Sequence, residues 1–287
     1  MQLTFTKGHG TENDFVLVRD LDGELDLTTE QVRRLADRHA GIGADGVIRV
    51  VRTKAAAEVR DQADRAEWFM DYRNADGSPA EMCGNGVRVF VRYLQREGLV
   101  PDEAGDLVVA TRGGPKAVRL DDGVPAVDLG VWRMVGGEPA LAAGGDATVR
   151  VTGLADELPG LSFDLGNPHT VVLLPGEDEL AQADLTRAPV VDPVPAHGTN
   201  VELVVPLAPG RLTMRVHERG VGETRSCGTG AAAAALAARA WALAGGGEPV
   251  DDWRVDVPGG TVRVRVLGDR VELSGPAVLV ADGTVTL

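Results

Sequence analysis

The chain contains two cysteines, and each one opens a segment of the same kind. Cys83 begins the sequence Cys-Gly-Asn-Gly and Cys227 begins Cys-Gly-Thr-Gly, and a helix-like stretch follows each segment at once. Backbone N–H groups and the helix dipole favour negative charge at a helix N-terminus, so a thiol placed there readily becomes a thiolate. A lone cysteine is more often a small buried hydrophobic residue, but the repeated context favours two sulfurs facing one pocket. Such a pair could act as acid and base and move a proton across a carbon centre.

Apolar periodicity predicts the helices that must position these cysteines. After Cys83 one helical face carries Val87, Phe90, Val91 and Leu94, and the other carries Arg88, Arg92 and Arg96. The stretch 230–243 is almost wholly apolar, which predicts a helix enclosed by sheet. Further helices are predicted at 28–39 and 177–185, and the polar stretch 54–67 is interpreted as a solvated surface insertion.

Short β-branched or alternating runs dominate the rest of the chain and predict strands. These runs are 3–7, 15–19, 47–51, 68–72, 107–111, 116–120, 126–129, 148–152, 161–165, 170–174, 201–205, 212–216, 253–257, 262–266, 271–273 and 278–280. Asn74 lies nine residues before Cys83 and Glu218 nine before Cys227, each at the end of a strand-like run. The pattern predicts two mixed β/α lobes of one design, with their cysteine-bearing helices directed toward a shared cleft.

Composition and charge exclude several classes of function. The 287 residues suit one large domain or two of ordinary size, and 44% hydrophobic with 25% charged residues is normal for a globular protein. A net charge of −14 argues against nucleic acid or an anionic membrane as partner. Residues 1–7 lack the basic-then-apolar build of a signal peptide, and no apolar run approaches the ~20 residues that span a bilayer, so neither a secretory signal nor a membrane span is expected. Two cysteines without a disulfide framework fit a reducing cytoplasm.

The histidines and cysteines lack zinc-ligand spacing and a phosphate-binding loop is absent, so neither a metal nor a nucleotide cofactor is expected.

Several segments together resemble diaminopimelate epimerase. They are Gly-His-Gly-Thr-Glu-Asn-Asp-Phe at 8–15, Tyr-Arg-Asn-Ala-Asp-Gly-Ser at 72–78, Met-Cys-Gly-Asn-Gly at 82–86, Gly-Asn-Pro-His at 166–169, Glu-Arg-Gly at 218–220 and Ser-Cys-Gly-Thr-Gly at 226–230. The resemblance implies an α/β (α+β) fold with two pseudo-symmetric lobes, each a curled, mostly antiparallel sheet around a central helix, and an active site in the cleft between them. The implied lobes are 1–127 plus 276–287, which carries Cys83, and 128–275, which carries Cys227.

The resemblance also implies an activity and its residues. Such enzymes interconvert L,L- and meso-2,6-diaminopimelate without pyridoxal phosphate or metal, on the route to lysine and peptidoglycan, and are commonly homodimers. The implied acid/base pair is Cys83 and Cys227, with His169 and Glu218 tuning the pKa values of the two thiols. The implied substrate-binding residues are Asn13, Asn74, Asn167, Asn200, Glu218 and Arg219. We further expect backbone N–H groups at Gly84 and Asn85, and at Gly228 and Thr229, to hold the carboxylate at the reacting end.

One position departs from the family pattern. Many members have a glutamine where this chain has Gly46, so that substrate contact is not carried over to this chain. Three other hypotheses stay open at this point. The chain could be a proline or hydroxyproline racemase, it could be a non-catalytic protein that binds a small anion, or Cys83 and Cys227 could form a structural disulfide.

Overall fold

The computed structural model describes residues 1–100, 105–121 and 123–287. Within these ranges the α-helices are α1 (Thr29–Ala36), α2 (Gly84–Arg96), α3 (Gly137–Ala142), α4 (Glu177–Gln182) and α5 (Gly228–Ala244). The strands are β1 (Gln2–Gly10), β2 (Asn13–Arg19), β3 (Gly46–Arg52), β4 (Trp68–Asn74), β5 (Leu107–Ala110), β6 (Lys116–Asp121), β7 (Val124–Val131), β8 (Arg133–Met134), β9 (Ala147–Arg150), β10 (Leu158–Asp164), β11 (Pro168–Leu173), β12 (Val190–Asp192), β13 (Asn200–Ala208), β14 (Arg211–Glu218), β15 (Gly222–Thr224), β16 (Asp252–Val257), β17 (Gly260–Leu267), β18 (Arg270–Ser274) and β19 (Val278–Thr286).

The chain forms two compact units. The first comprises Met1–Asp128 with Ser274–Leu287, and the second comprises Leu129–Leu273. The chain leaves the first unit within β7 and returns to it at the end of β18. Each unit contains a sheet and a few helices, so the predicted mixed α/β fold class is confirmed.

The two sheets repeat one pattern of strand directions. In the first unit the hydrogen-bonded order is β19-β1-β2-β3-β4-β5-β6-β7, in which β2/β3 and β4/β5 are parallel and the other pairs from β19 to β6/β7 are antiparallel. In the second unit the run β10-β11-β13-β14-β16-β17 repeats the series of pairs found from β1 to β6, with β11/β13 and β14/β16 parallel. A cysteine follows the fourth strand of each series counted from β1 and from β10: Cys83 comes after β4, and Cys227 comes after β14 and the short β15.

Helix α2 is buried on almost every side in the first unit. It packs against β1, β2, β3, β4 and β19, and its predicted apolar face is buried. Arg88 belongs to the opposite, polar face of the helix, yet its side chain is completely buried. Hydrogen bonds to oxygen atoms of the same unit compensate for the burial of this charge, as described below.

Helix α5 occupies the equivalent place in the second unit. Every residue from 231 to 238 is buried, and the helix packs against β11, β13, β14, β16 and β17. Alanine side chains on all sides let the backbone of α5 lie close to the surrounding strands. A helix that is apolar all round is normally enclosed. The helix predicted at 230–243 is present and starts two residues earlier, but it is enclosed only as far as Ala238, and its residues from Ala242 to Ala244 are exposed.

Two other sequence-based interpretations need correction. Residues 54–67 are not a purely solvated insertion. The segment contains short 3₁₀ helices at Thr53–Ala55 and Ala57–Gln62, and its Ala56, Val59 and Ala66 are buried in one cluster with Val51 and Phe69. Helix α1 ends at Ala36 rather than at His39, since Asp37 adopts an extended backbone at the C-cap. The Thr28 cap is present, and its partner in the capping box is Gln31. No helix in the described ranges combines the length and the apolar character needed to cross a membrane.

Candidate active site

Cys83 is the N-cap residue of α2, in the first unit. Its backbone is extended, and Sγ accepts a hydrogen bond from the Gly86 N–H at 3.4 Å. Sγ also lies 3.6 Å from Asn13 Oδ1, an acceptor to which Cys83 donates when it is protonated. Cys83 forms no disulfide and is partly exposed. The first turn of α2 therefore holds this sulfur against backbone amide and side-chain amide groups.

A buried arginine, Arg88, donates hydrogen bonds to Asn85 in the Cys83 turn and to residues near it. Arg88 Nη2 donates to Asn85 Oδ1 at 2.6 Å and to Thr11 Oγ1 at 3.2 Å, and Nη1 donates to the Pro276 carbonyl at 2.8 Å. Asn85 in turn donates from Nδ2 to Asn13 Oδ1 at 3.2 Å. Burial lowers the pKa of Arg88 to about 10, and the negative charge that Cys83 can carry acts in the opposite direction. The buried positive charge of Arg88 thus interacts with a negative charge on this cysteine.

The other side of Asn13 is held by a cluster of charged residues. Asn13 Nδ2 donates to Asp45 Oδ2 at 2.7 Å, and Arg38 bridges Asp45 and Asp14 with distances of 2.6 and 2.8 Å. Burial acts to raise the pKa of Asp14, but hydrogen bonds from Arg38 and Lys7 outweigh it and hold that pKa far below its usual range. Asn13 is therefore fixed by hydrogen bonds from both ends of its amide.

Cys227 is the N-cap residue of α5, in the second unit. Its free thiol is buried, with 7% of the residue exposed. Sγ accepts a hydrogen bond from the Gly230 N–H at 3.3 Å and lies 3.6 Å from Thr229 Oγ1. Burial raises the pKa of Cys227 well above its ordinary value, and the negative charges of Glu218 and Glu202 add to this shift. This cysteine keeps its proton more strongly than an ordinary thiol.

A series of polar side chains connects Cys227 to the interior of its unit. Asn167 Nδ2 donates to Thr229 Oγ1 at 3.2 Å, and Asn167 Oδ1 lies 3.1 Å from His169 Nε2. His169 Nδ1 lies 2.7 Å from Glu202 Oε1, and neither side chain is exposed to solvent. The structure thus brings together three predicted residues, Asn167, His169 and Thr229, with Cys227. Glu202 was not predicted, although a lone glutamate inside the apolar strand 201–205 is a signal that could have identified it.

The remaining predicted residues lie at strand ends and turns. Asn200 joins two segments of the second unit, because Nδ2 donates to the Pro168 carbonyl at 3.0 Å and Oδ1 accepts from the Arg219 N–H at 2.9 Å. Glu218 ends β14 and accepts a hydrogen bond from Thr224 Oγ1.

Arg219 and Asn74 have mainly local contacts. The Arg219 side chain donates to the His197 carbonyl at 2.6 Å and belongs to an exposed residue. Asn74 ends β4, and its side chain donates to Ser78 Oγ at 3.0 Å within its own turn. The hydrogen bonds described for Asn74 do not join it to Cys83. Gly84 and Gly228 are the first residues of α2 and α5.

The atoms packed around residue 46 explain why this chain has glycine rather than glutamine at that position. A Cβ atom there would lie 2.5 Å from the Arg73 carbonyl oxygen and 2.5 Å from Tyr72 Cε2. Both distances are too short for real contacts, and the first is to backbone that cannot rotate away. Residue 46 is therefore restricted to glycine in this structure.

Across the described ranges, no group of three or more His, Cys, Asp or Glu side chains is arranged to hold a metal ion.

Comparisons with known proteins identify the family. The family model described as diaminopimelate epimerase matches residues 5–135 and 161–285. A diaminopimelate epimerase of Streptomyces coelicolor is 50% identical over 288 residues, which cover 98% of this chain and 95% of the relative. One of Thermobifida fusca is 49% identical over 294 residues, which cover 99% of this chain and 98% of the relative.

Solved structures share the fold at low sequence identity. A predicted epimerase of Pseudomonas aeruginosa has a TM-score of 0.66 and 15% identity, with 99% of both chains covered. A hydroxyproline epimerase of Agrobacterium vitis has a TM-score of 0.63 and 14% identity, with 99% of this chain and 92% of that one covered. The resemblance drawn from the motifs is confirmed, and the chain belongs to the diaminopimelate epimerase family.

Proposed function

We propose that this protein interconverts L,L- and meso-2,6-diaminopimelate by moving a proton at one α-carbon, with Cys83 and Cys227 as the acid/base pair. The observation that carries the proposal is the repeated cysteine turn. Each sulfur caps a helix and accepts an N–H hydrogen bond from the residue three positions later. Family membership supplies the substrate, and no pyridoxal phosphate or metal takes part in the proposed reaction.

The proposed proton transfers balance within the cysteine pair. A thiolate takes the α-hydrogen and becomes a thiol, and the electron pair of the broken C–H bond stays on carbon. The second cysteine then gives its proton to the opposite face of that carbon and becomes a thiolate. The α-carbon is very weakly acidic relative to a thiol of pKa ~8.5, so the carbanion needs electrostatic stabilisation. Amides at Gly84 and Asn85, and at Gly228 and Thr229, are proposed to provide it by binding the substrate carboxylate.

The surroundings of the two sulfurs support opposite roles at the start of turnover. The raised pKa of Cys227 favours a protonated acid. The hydrogen-bond partners described for Arg88 are all neutral oxygens, so its charge is available to favour a thiolate at Cys83. We therefore assign Cys83 as the base and Cys227 as the acid in the form that begins turnover in one direction, and the reverse in the other.

The far end of diaminopimelate carries a second amine and carboxylate. We assign the binding of the substrate to Asn13, Asn74, Asn167, Asn200, Glu218 and Arg219. Asparagine offers both a donor and an acceptor, and arginine can bind a carboxylate through two parallel hydrogen bonds. The exposed guanidinium of Arg219 suits the second carboxylate.

The proposal extends to the setting of the enzyme. We place it in the cytoplasm, as a homodimer, in the synthesis of lysine and peptidoglycan precursors. A reducing compartment keeps both cysteines as thiols. Oxidation of either sulfur would remove the acid or the base, so reductant should preserve activity. A structural disulfide would instead make reductant lower both activity and stability.

A direct assay tests the proposed reaction. Purified protein is incubated with L,L-diaminopimelate, and the meso isomer is separated and quantified over time. We expect conversion toward an equilibrium mixture, no inhibition by excess L-proline, and no turnover by Cys83→Ala or Cys227→Ala variants that keep the wild-type circular dichroism spectrum. Racemisation of proline, or inactivity toward diaminopimelate by the folded wild-type protein, would refute the proposal.

A further inference from the structure

The buried carboxylate of Glu202 has no role in the reaction as proposed so far. Glu202 lies in β13, between apolar neighbours, and is 0% exposed. Its Oε1 is paired with His169 Nδ1 at 2.7 Å. Its Oε2 has no hydrogen-bond partner among the residues that the structure describes. Since a buried carboxylate with an unsatisfied oxygen is costly, this group invites a functional explanation.

Glu202 lies against the first turn of α5. A Cβ atom added to Gly230 would lie 2.8 Å from Glu202 Oε1 and 3.3 Å from Cys227 Sγ. Gly230 therefore leaves the space that the carboxylate occupies. This is the positive end of the helix dipole, where a negative charge is stabilised. The carboxylate and the sulfur thus share one helix N-terminus.

Both ring nitrogens of His169 face oxygen atoms that accept hydrogen bonds. Nδ1 faces the Glu202 carboxylate, and Nε2 faces Asn167 Oδ1 at 3.1 Å. Asn167 presents its amide nitrogen to Thr229 instead. A neutral imidazole has one N–H and one lone pair, so it cannot donate to both oxygens. An imidazolium ring satisfies both contacts, and the buried ion pair with Glu202 compensates its charge.

The direction of every hydrogen bond from His169 to the sulfur then follows. Nε2–H donates to Asn167 Oδ1, and Asn167 Nδ2–H donates to Thr229 Oγ1. Once Cys227 has lost its proton, its sulfur can only accept, so the Thr229 hydroxyl, which accepts from Asn167, directs its own hydrogen to Cys227 Sγ, 3.6 Å away. A donor aimed at the sulfur stabilises the thiolate that forms when Cys227 gives up its proton.

We propose that Glu202 is a positioning residue of the Cys227 site. Its carboxylate holds His169 as an imidazolium, and this ring sets the direction of a hydrogen-bond chain through Asn167 and Thr229 to Cys227 Sγ. The mechanistic part of this inference rests on the proposed function, because it concerns Cys227 as an acid. The state of the His169 ring does not depend on it.

The first experiment measures the His169 ring by nitrogen-15 NMR on the full-length protein labelled at histidine, at neutral pH and without substrate. A His169→Gln variant assigns the signals. We expect two protonated ring nitrogens in the wild type and a neutral ring in Glu202→Gln. The matched control is Glu272→Gln, a buried glutamate of the same unit that pairs with Arg265, and it should leave the His169 signals unchanged.

The second experiment measures turnover of diaminopimelate. We expect Glu202→Gln to lower kcat by about 10- to 100-fold, the range found when the partner behind a metal-bound histidine is removed, with KM little changed. Thr229→Val removes the hydroxyl group at the end of the chain, and Thr229→Ser restores it. The effects of substitutions that act through one hydrogen-bond chain are not additive. Glu202→Gln should therefore lower kcat by a much smaller factor in the Thr229→Val background than in the wild type.

Two results would overturn the inference. One is a neutral His169 ring in the wild type, which would mean that the Asn167 amide is reversed and donates to Nε2. The other is full additivity of the Glu202 and Thr229 substitutions in kcat. If the wild-type protein has no epimerase activity, the proposed function fails, and the NMR result still decides whether Glu202 sets the state of His169.

Discussion

At the scale of single residues, the two cysteines share a backbone geometry but have different electrical surroundings. Each sulfur accepts an N–H hydrogen bond from the third residue of its helix. The charge of the buried Arg88 guanidinium acts on Cys83, whereas Cys227 is buried and is also subject to the carboxylates of Glu218 and Glu202. An acid and a base need different pKa values, and similar helix ends cannot supply that difference by themselves. Burial of Cys227 and the charges near each sulfur provide it.

Glu218→Gln should change the alkaline limb of the pH–rate profile. Burial and then Glu218 raise the pKa of Cys227, so Cys227 stays protonated to higher pH than an ordinary thiol. Removing the negative charge lowers that pKa, and the loss of activity with rising pH should therefore begin at lower pH. The profile of kcat/KM against pH measures the shift. Glu223→Gln, which removes an exposed carboxylate paired with Arg215, serves as the control, and an equal shift in both variants would contradict the assignment.

Arg88→Met should make Cys83 less reactive. Loss of a buried positive charge disfavours the thiolate, and one pKa unit corresponds to about a tenfold change in thiolate population. The rate at which iodoacetamide alkylates Cys83 at neutral pH should fall by on the order of tenfold. Peptide mass spectrometry measures this rate. Arg88→Lys should retain part of the rate. Arg92→Met, on the exposed side of the same helix, should leave the alkylation rate of Cys83 unchanged. A decrease equal to that of Arg88→Met would exclude a specific effect of Arg88.

At the scale of elements, each unit places a glycine-rich helix start after the fourth strand of a repeated series. The third residue of each helix is glycine, but for different reasons. A Cβ at Gly230 would press on Glu202 and Cys227, whereas a Cβ at Gly86 would meet its nearest neighbours at 3.5 Å, an ordinary contact. The two turns therefore have the same shape and unequal tolerance of substitution.

Gly230→Ala and Gly86→Ala form a matched pair of variants. We expect Gly230→Ala to lower the free energy of unfolding by about 1–3 kcal/mol through overpacking. Gly86→Ala should be within about 1 kcal/mol of the wild type, because alanine favours helix and space is available. Urea denaturation followed by circular dichroism measures both values. Equal destabilisation of the two variants would contradict the difference in packing.

The sequence predicted the elements better than it predicted their contacts. Periodicity located α2 and α5, and the motifs identified Cys83 and Cys227 as residues at helix starts. Periodicity also placed Arg88 on the polar face of α2 and did not reveal its burial, because a helical pattern cannot show that Thr11 and Pro276 supply oxygen atoms from distant parts of the chain. Such partners depend on tertiary structure.

Glu202 was not predicted and residues 54–67 were misjudged, for related reasons. A strand pattern does not report which element covers each face, so it assigns no role to a glutamate in an apolar run. The polar composition of 54–67 hid the small apolar residues that pack on β3 and β4. The absence of glutamine at position 46 was visible in the sequence, but the backbone that excludes any side chain there was not.

At the scale of the whole molecule, an acidic chain with net charge −14 still buries carboxylates within networks of arginine. Asp71 in β4 has no exposed side-chain surface and lies among Arg49, Arg73 and Arg112. Burial acts to raise the pKa of Asp71, but hydrogen bonds and charges from these arginines, Arg112 first, lower it below the usual value. Asp71 thus links β3, β4 and the segment after β5 in the first unit.

Asp71→Asn should destabilise the protein in a pH-dependent way. A carboxylate whose pKa is lower in the folded state stabilises the protein above its unfolded pKa of ~3.9, and this stabilisation disappears as pH falls through the folded pKa. At neutral pH the variant should lose about 3–5 kcal/mol of unfolding free energy, as when one partner of a buried ion pair is removed. Urea denaturation at a series of pH values should show this gap narrowing below pH ~4. A gap that is constant across the series would contradict the ionic role.

The central claim is that two different groups, Cys83 and Cys227, remove and return the proton on opposite faces of one carbon. Its most direct test is a brief incubation of the wild-type enzyme with L,L-diaminopimelate in deuterated water, stopped at low conversion and analysed by mass spectrometry. The account predicts one deuteron on each molecule of meso product and an unlabelled pool of remaining substrate, because the acid has exchanged with solvent and the base keeps the substrate's hydrogen. Unlabelled product would mean that a single group carries the same hydrogen from one face to the other, and would contradict the account.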